Sequence, residues 1–137
     1  MPTPLTADDR LAIVDLLARY CRCIDFKRWD EITSFFTPDC VVDFGKVMGM
    51  HEGHEGVRRM AEMIGGTGLM MRHYSTNVMI EGDGEHVDVT SYVLAFTGTA
   101  AGSLMPTTGR YEDALVKRDG RWLIRRRRGI IEMPGTV

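Results

Sequence analysis

The sequence lacks a long apolar run. Nowhere do about 18 apolar residues follow one another, which is the length that a helix needs to cross a membrane. The first ten residues carry Pro2, Pro4, Asp8 and Asp9 instead of the basic stretch and apolar segment of a secretory leader. These absences predict a soluble protein of the cytoplasm.

A surplus of positive charge is also missing. The 17 Lys and Arg residues are outnumbered by 19 Asp and Glu residues, which gives a formal net charge of −2. Nucleic acid is held largely through its phosphates by basic side chains, so a chain of this charge has little with which to bind it. We therefore expect no nucleic acid and no membrane among the partners.

Cysteine is scarce. The three that occur, Cys21, Cys23 and Cys40, match no zinc-binding spacing. An odd number of thiols in a reducing compartment favours small buried side chains over a disulfide framework. We expect neither a metal nor another cofactor.

The remaining composition is ordinary for a globular protein, with 44% hydrophobic and 26% charged residues in a chain of 137. This length fits one domain over residues 1–137. Ten methionines suit an adaptable apolar interior, and they would equally suit a pocket for an apolar ligand.

Thr6, followed by Asp8 and Asp9, predicts the start of a helix. A hydroxyl can cap the first turn, and acidic side chains there meet the positive end of the helix dipole. The helix is expected to run to about Asp25. Its predicted core-facing stripe has the three-to-four spacing of a buried helix face and consists of Val14, Leu17, Cys21 and Ile24.

The rest of the chain changes from short helices to strands. Two shorter helices are predicted over 29–36 and 57–64, with a short strand over 40–44. Four β-rich runs divided by turn sequences then predict strands over 72–80, 86–96, 107–117 and 121–131. Helices followed by an antiparallel meander are typical of an α+β fold with a sheet wrapped around the long helix.

Asp25 stands out because it lies at the predicted carboxyl end of the first helix, where the dipole disfavours an anion. Its neighbours, Ile24 and Phe26, are apolar. An exposed aspartate that begins a turn, or an ion pair with Lys27 or Arg28, would account for it. A functional role would need a cationic or proton-donating partner from elsewhere in the chain.

His73 is the best candidate for that partner. In the predicted strand "MRHYSTNVMI", the two-residue period puts His73, Ser75 and Asn77 on one face and Tyr74, Thr76, Val78 and Ile80 on the other. An imidazole with a carboxylate behind it is a competent general base. A histidine that simply packs is the alternative, and His51, His54 and His86 are weaker candidates because they fall in loop-like segments.

The segment "HEGHEG" offers two histidines and two glutamates within six residues. His51 and His54 are three residues apart, but Gly53 between them weakens any helix that would place both on one face. A metal site is therefore not predicted here.

The run "IRRRRG" contains four consecutive arginines, residues 125–128. On a strand, Arg125 and Arg127 face one way while Arg126 and Arg128 face the other. Either the inner pair is neutralised by acids such as Glu112, Asp113 or Glu132, or one inward arginine meets an anionic or electron-rich group in a cavity.

Three stretches carry a resemblance to a known family: "ARYCRCIDFKRWDEITSFFTPDCVVDFG", "RHYSTNVMIEGDGEHVDVTSYVLAF" and "GRYEDALVKRDGRWLIRRR". They resemble the SnoaL-like group of the nuclear transport factor 2-like superfamily and together span nearly the whole chain. The resemblance implies one SnoaL-like domain over residues 1–137. It also implies a cone-shaped α+β barrel in which one long and two shorter helices close a curved sheet around a deep pocket.

Scytalone dehydratase, bile acid 7α-dehydratase and hexachlorocyclohexane dehydrochlorinase belong to that superfamily. They carry an aspartate that ends the first helix and a histidine on the following long strand, and these positions match Asp25 and His73 as catalytic residues. By the same resemblance, Tyr20 and Arg127 are expected to contact the substrate, with Arg126 or Arg128 as alternatives one residue out of register.

The function implied is that of a cofactor-independent lyase of the dehydratase type, or an isomerase, acting on a small, hydrophobic and cyclic substrate. A non-catalytic ligand-binding module, or the small subunit of an aromatic-ring dioxygenase, is the alternative. An exposed sheet face, common in this fold, favours a homodimer or homotrimer.

Overall fold

The computed structural model of the protein describes residues 1–132, which form an α+β fold. A long helix, α1 Ala7–Asp25, comes first, followed by a 3-10 helix over Trp29–Phe35. The remaining elements in chain order are β1 Phe36–Asp43, α2 Gly45–Met48, β2 Met50–Glu52, α3 Gly53–Gly65, β3 Met71–Gly82, β4 His86–Gly98, β5 Leu104–Arg118 and β6 Arg121–Ile131. No helix within the described residues is long and apolar enough to cross a membrane.

Helix α1 begins with the predicted cap. The Asp9 N–H donates to Thr6 Oγ1 at 3.0 Å, and the Thr6 N–H donates back to the Asp9 carboxylate at 3.0 Å. The helix ends at Asp25, as expected. The predicted stripe is wrong in one place, since Val14 is 46% exposed and Ile13 is buried instead. Together with Leu17, Tyr20 and Ile24, Ile13 packs on the sheet.

All six strands form one sheet, in the order β2-β1-β6-β5-β4-β3. β1 runs parallel to β6, and every other neighbouring pair is antiparallel. In the part of the chain that the structure describes, β2 and β3 are the edges, so the sheet is open there and curves around α1. The predicted α+β class with an antiparallel meander and a central long helix is confirmed.

Residues 36–56 depart from the prediction. β1 begins at Phe36 rather than at residue 40, and it contains Pro38. Proline cannot donate to a strand ladder, and the pairing of β1 with β6 shifts register between Phe36 and Val41, around the proline. The short elements α2 and β2 were not predicted, because β2 exists through its pairing with β1 rather than through its own sequence.

Strand β3 contains an irregularity that sets its faces. Thr76 lies opposite Tyr92 while Met79 lies opposite Thr90, so β3 has one extra residue between these pairs. Asn77 sits in this bulge with φ 52°, a left-handed conformation that asparagine tolerates. After the bulge, Val78 and Ile80 pack against the core. They therefore do not share the outward face of Tyr74, contrary to the alternation predicted from the sequence.

The three cysteines are free thiols and all are buried, as predicted. Burial raises the pKa of both Cys21 and Cys23 to about 11. They are therefore protonated near neutral pH, and such thiols are poor nucleophiles.

Candidate active site

A cavity of about 220 Å³ opens between α1, α2 and the concave face of the sheet. Most of the side chains that line it are apolar, including Ile24, Phe44, Val93 and Ile131. Small residues create the space: Ala95 on β4 lies opposite His73 on β3, and Ala95 also lies opposite Thr107 on β5. The polar side chains of the lining are Tyr20, His73, Thr97, Thr107, Thr108, Arg110 and Tyr111.

Asp25 and His73 meet at the wall of this cavity. His73 Nδ1 lies 2.6 Å from Asp25 Oδ1, and the His73 backbone N–H donates to Asp25 Oδ2 at 2.9 Å. The carboxylate thus accepts hydrogen bonds from both the backbone of β3 and the imidazole ring. The Asp25 side chain is 5% exposed and the His73 side chain 17%, so the histidine is the more accessible member of the pair.

The backbone contact follows from the position of β3 at the edge of the sheet. An edge strand has N–H groups without a neighbouring strand, and the end of α1 brings the Asp25 carboxylate to one of them. The same contact compensates Asp25 for its unfavourable place at the carboxyl end of the helix.

The ring geometry assigns different tasks to the two imidazole nitrogens. Because a carboxylate accepts at Nδ1, that nitrogen carries a proton, and in the neutral imidazole Nε2 holds the lone pair. His73 lines the cavity, and Nε2 makes no hydrogen bond to another group of residues 1–132. The arrangement can accept a proton at Nε2 while the carboxylate stabilises the imidazolium that forms.

Tyr20 lies one turn before Ile24 on α1 and also lines the cavity. Its ring packs edge-to-face against Phe35, Phe36 and Tyr111 at centroid distances of 5.9 to 6.3 Å. Burial raises the pKa of the Tyr20 phenol to about 12, and the nearby Arg127 offsets part of that rise. The hydroxyl is therefore neutral near pH 7 and can donate a hydrogen bond.

Arg127 is the arginine that turns inward, but it is not placed as expected. Its side chain is 0% exposed and lies behind Tyr20 and Tyr111 rather than in the cavity wall. Asp113 neutralises it through two contacts of 2.8 Å. In this arrangement Arg127 makes no direct contact with a substrate in the cavity. Arg126 and Arg128 are exposed, and Arg128 lies 3.6 Å from Glu112.

The other histidines either contact backbone carbonyl groups or are exposed. His51 Nε2 contacts the Met48 carbonyl at 2.7 Å, and His54 Nε2 contacts the Phe36 carbonyl at 2.9 Å. Within residues 1–132, no three His, Cys, Asp or Glu side chains lie close enough together to hold a metal ion. His86 is exposed at the start of β4.

The sequence reasoning missed Tyr111 as a cavity residue. It lies on β5 opposite Ser91, is 7% exposed and lines the cavity. Strand alternation from the buried Asp113 and Leu115 would have placed Tyr111 on the inner face.

Comparisons with known proteins agree with this architecture. Residues 5–128 match the SnoaL-like domain. An uncharacterised Mycobacterium tuberculosis protein, Rv2910c, is 28% identical over 88 residues, an alignment that spans 64% of this chain and 58% of that protein. The matched part is thus less than two thirds of the length of that relative.

Two solved structures are similar over most of their length. A Novosphingobium aromaticivorans protein provisionally named a scytalone dehydratase is 25% identical, with TM-score 0.80 over 91% of this chain and 85% of its own. Hexachlorocyclohexane dehydrochlorinase (LinA) type 2 shares the fold at 21% identity, with TM-score 0.82 over 92% and 86% of the two chains. With the domain match covering most of the sequence, the chain belongs to the SnoaL-like family.

Proposed function

We propose that the protein is a cofactor-independent lyase or isomerase in which His73 removes a proton from a carbon atom of a small, hydrophobic, cyclic substrate. The observation that carries this proposal is the 2.6 Å contact between His73 Nδ1 and Asp25 Oδ1 at the wall of an apolar cavity. The pair supplies a base whose tautomer is fixed and whose charged form is stabilised.

In an elimination, His73 Nε2 takes the proton from carbon. The electron pair of that C–H bond forms the new double bond, and the bond to the leaving group breaks on the neighbouring carbon. Tyr20 would donate a hydrogen bond or its proton to the departing oxygen, or a hydrogen bond to a departing halide. Returning the proton from His73 to a different carbon would instead give an isomerase.

The cavity and the family support the substrate class. A space of about 220 Å³ with a mostly apolar lining suits a molecule of one or two rings. The family match and the fold shared with a dehydrochlorinase support a small-molecule-binding domain. The dyad serves elimination and isomerisation alike, since both reactions begin with removal of a proton from carbon.

An assembly of several copies is part of the proposal. The outer sheet face carries four exposed large side chains on adjacent strands β3 and β4, namely Tyr74, Met79, Tyr92 and Leu94. Covering such a patch with a second copy would remove apolar surface from water and favours a homodimer or homotrimer. We place the protein in the cytoplasm as one domain over residues 1–137.

The test is turnover by the purified chain on cyclic alcohols, halides and ketones, followed by the appearance of a double bond or by deuterium uptake from D2O at carbon. His73→Gln should reduce turnover by about 1000-fold, because general base catalysis contributes 10² to 10⁴. His86→Gln, at an exposed position, is the matched control and should be unchanged.

Two results would overturn the proposal. One is equal turnover by the His73→Gln variant and the wild type. The other is tight binding of the same compounds with neither elimination nor deuterium uptake, which would favour the non-catalytic binding module. A chain that is stable only together with a larger subunit would favour the dioxygenase small subunit.

A further inference from the structure

The Arg127–Asp113 pair lies deep beneath the cavity, and its surroundings are unusual for an ion pair. Arg127 on β6 and Asp113 on β5 are opposite residues of adjacent strands, and both side chains are fully buried. The guanidinium lies 4.4 Å from the centre of the Tyr20 ring and 3.9 Å from that of Tyr111. The arginine is therefore held between two aromatic faces.

Stability alone does not explain this pair. Removing two charges from water is unfavourable, and apolar residues of similar volume often do as well or better in such a place. One guanidinium nitrogen, Arg127 Nη1, is buried with no hydrogen-bond partner in residues 1–132, which adds to the penalty. The reason for the arginine must then be sought in the side chains that it touches.

Both rings that touch Arg127 are part of the cavity wall. Tyr20 and Tyr111 line the cavity and lie perpendicular to one another, with their centroids 6.3 Å apart. Tyr20 comes from α1 and Tyr111 from β5, so contact with one guanidinium fixes their relative position across the interface between helix and sheet. No hydrogen bond joins the Tyr111 hydroxyl to another group of residues 1–132.

The charge of Arg127 also acts on the two hydroxyls. Burial raises the pKa of the Tyr111 phenol well above its usual range, as it does for Tyr20, and the guanidinium opposes that rise in both. Each phenol consequently stays neutral while the nearby cation polarises it. A neutral, polarised O–H in a water-poor cavity is a good donor to an electronegative atom.

We propose that Tyr111 is a second ligand-contacting hydroxyl, that Tyr20 and Tyr111 together receive one electronegative atom of the ligand, and that Arg127 and Asp113 are positioning residues for the two rings. The ligand class is a cyclic hydrocarbon skeleton with a single oxygen or halogen substituent. This inference rests on the proposed function for its chemistry, since the substituent would be the group that departs in an elimination or the carbonyl oxygen that gains charge in an isomerisation.

The first test measures binding and needs no turnover. The two probes are 1-indanone and indane, which share a two-ring skeleton and differ in one carbonyl oxygen. Tyr111→Phe should weaken 1-indanone binding about fivefold, the typical effect of one lost hydrogen bond, and leave indane binding unchanged. Tyr74→Phe removes a hydroxyl on the exposed outer face and is the matched control. Equal affinity of the Tyr111→Phe variant and the wild type for 1-indanone would overturn the role of Tyr111.

The second test separates positioning from structural support. In the double variant Arg127→Met, Asp113→Leu, we expect an unchanged or higher melting temperature and loss of the preference for 1-indanone. A lower melting temperature with the preference retained would overturn the positioning role.

The two proposals fail in different ways. His73→Gln should abolish turnover yet keep the preference for 1-indanone over indane, because it leaves both phenols in place. If no compound is turned over but Tyr111→Phe still removes that preference, the proposed reaction fails and the assignment of Tyr111 stands.

Discussion

Helix α1 has a buried aspartate near each end, and the two differ in their place on the helix dipole and in their partners. Asp9 is in the first turn, where the helix dipole favours a carboxylate, and Asp25 is the last residue, where the dipole opposes one. Asp9 accepts hydrogen bonds from Thr6, Lys117 and Trp122, which hold the helix to the sheet. Asp25 accepts from the backbone and the ring of His73.

The difference between the two carboxylates lies in their partners. The partners of Asp9 are the capping residue Thr6, the ammonium of Lys117 on β5 and the indole N–H of Trp122 on β6. Each of these groups is held in place by the fold. The partner of Asp25 is a titratable ring with a second nitrogen beside the cavity. Burial and charge are alike at the two sites, so a chemical role depends on whether the partner can act on a third molecule.

The largest expected effect is that of Asp25→Asn. An asparagine amide can donate to His73 Nδ1, which would leave the proton on Nε2 and remove the base. We expect kcat/KM to fall about 1000-fold with little change in melting temperature. Steady-state kinetics and thermal unfolding of the same preparation give both quantities. A lower melting temperature with unchanged kcat/KM in the folded variant would contradict the prediction and give Asp25 a structural role like that of Asp9.

Asp9→Ala should show the reverse pattern. The change leaves Lys117, the Trp122 indole N–H and the Thr6 backbone N–H without their carboxylate acceptor, so we expect the melting temperature to fall by several degrees. Turnover per folded molecule should be retained at a temperature below the transition. Loss of kcat in a folded Asp9→Ala protein would contradict the purely structural reading of that end of α1.

The pH dependence of stability should follow Asp9. The hydrogen bond from Lys117, with those from Thr6 and Trp122, holds the pKa of Asp9 well below its usual range. A depressed pKa in the folded state stabilises the protein above the unfolded pKa, about 4, and this stabilisation is lost as the pH falls below it. Denaturant unfolding between pH 6 and about 2 should show a weaker acid dependence in Asp9→Asn than in the wild type; identical slopes would refute this assignment.

The smallest effect belongs to a third aspartate of the same helix. Asp15 pairs with Arg19 one turn away at 2.6 Å, but both side chains are more than half exposed. Water screens such a pair, so Asp15→Ala should leave turnover and melting temperature within experimental error. A measurable loss in either would mean that ion pairing at the helix surface cannot serve as the neutral reference for Asp9 and Asp25.

Local signals predicted the parts of the fold that depend on local chemistry. Thr6, Asp8 and Asp9 marked the start of α1, and alternation with turn sequences marked the four-stranded meander. The elements between residues 36 and 56 depend on pairing with distant strands. A three-residue strand such as β2 has no periodicity that a sequence can display.

The site divides in the same way. Asp25 and His73 were each identifiable as unusual in their surroundings, and the family resemblance joined them, but the contact of Asp25 with the strand backbone could not be read from side-chain patterns. The arginine run left open which residue turns inward and put Arg125 on the face of Arg127, whereas only Arg127 of these two is buried. The distance of Arg127 from the cavity depended on Tyr20 and Tyr111 filling the space between. The bulge at Asn77 reversed the faces that strict alternation gave to Val78 and Ile80.

The hydrogen bond from the His73 backbone N–H to Asp25 affects the tendency of the protein to aggregate as well as the chemistry of the site. Within residues 1–132, β3 has a neighbouring strand on one side only, and a strand of another molecule can add to such an edge. By occupying one N–H of that edge and bringing the end of α1 against it, the carboxylate makes such an addition harder. Protection against aggregation would then favour an acceptor at position 25 independently of any chemistry at His73.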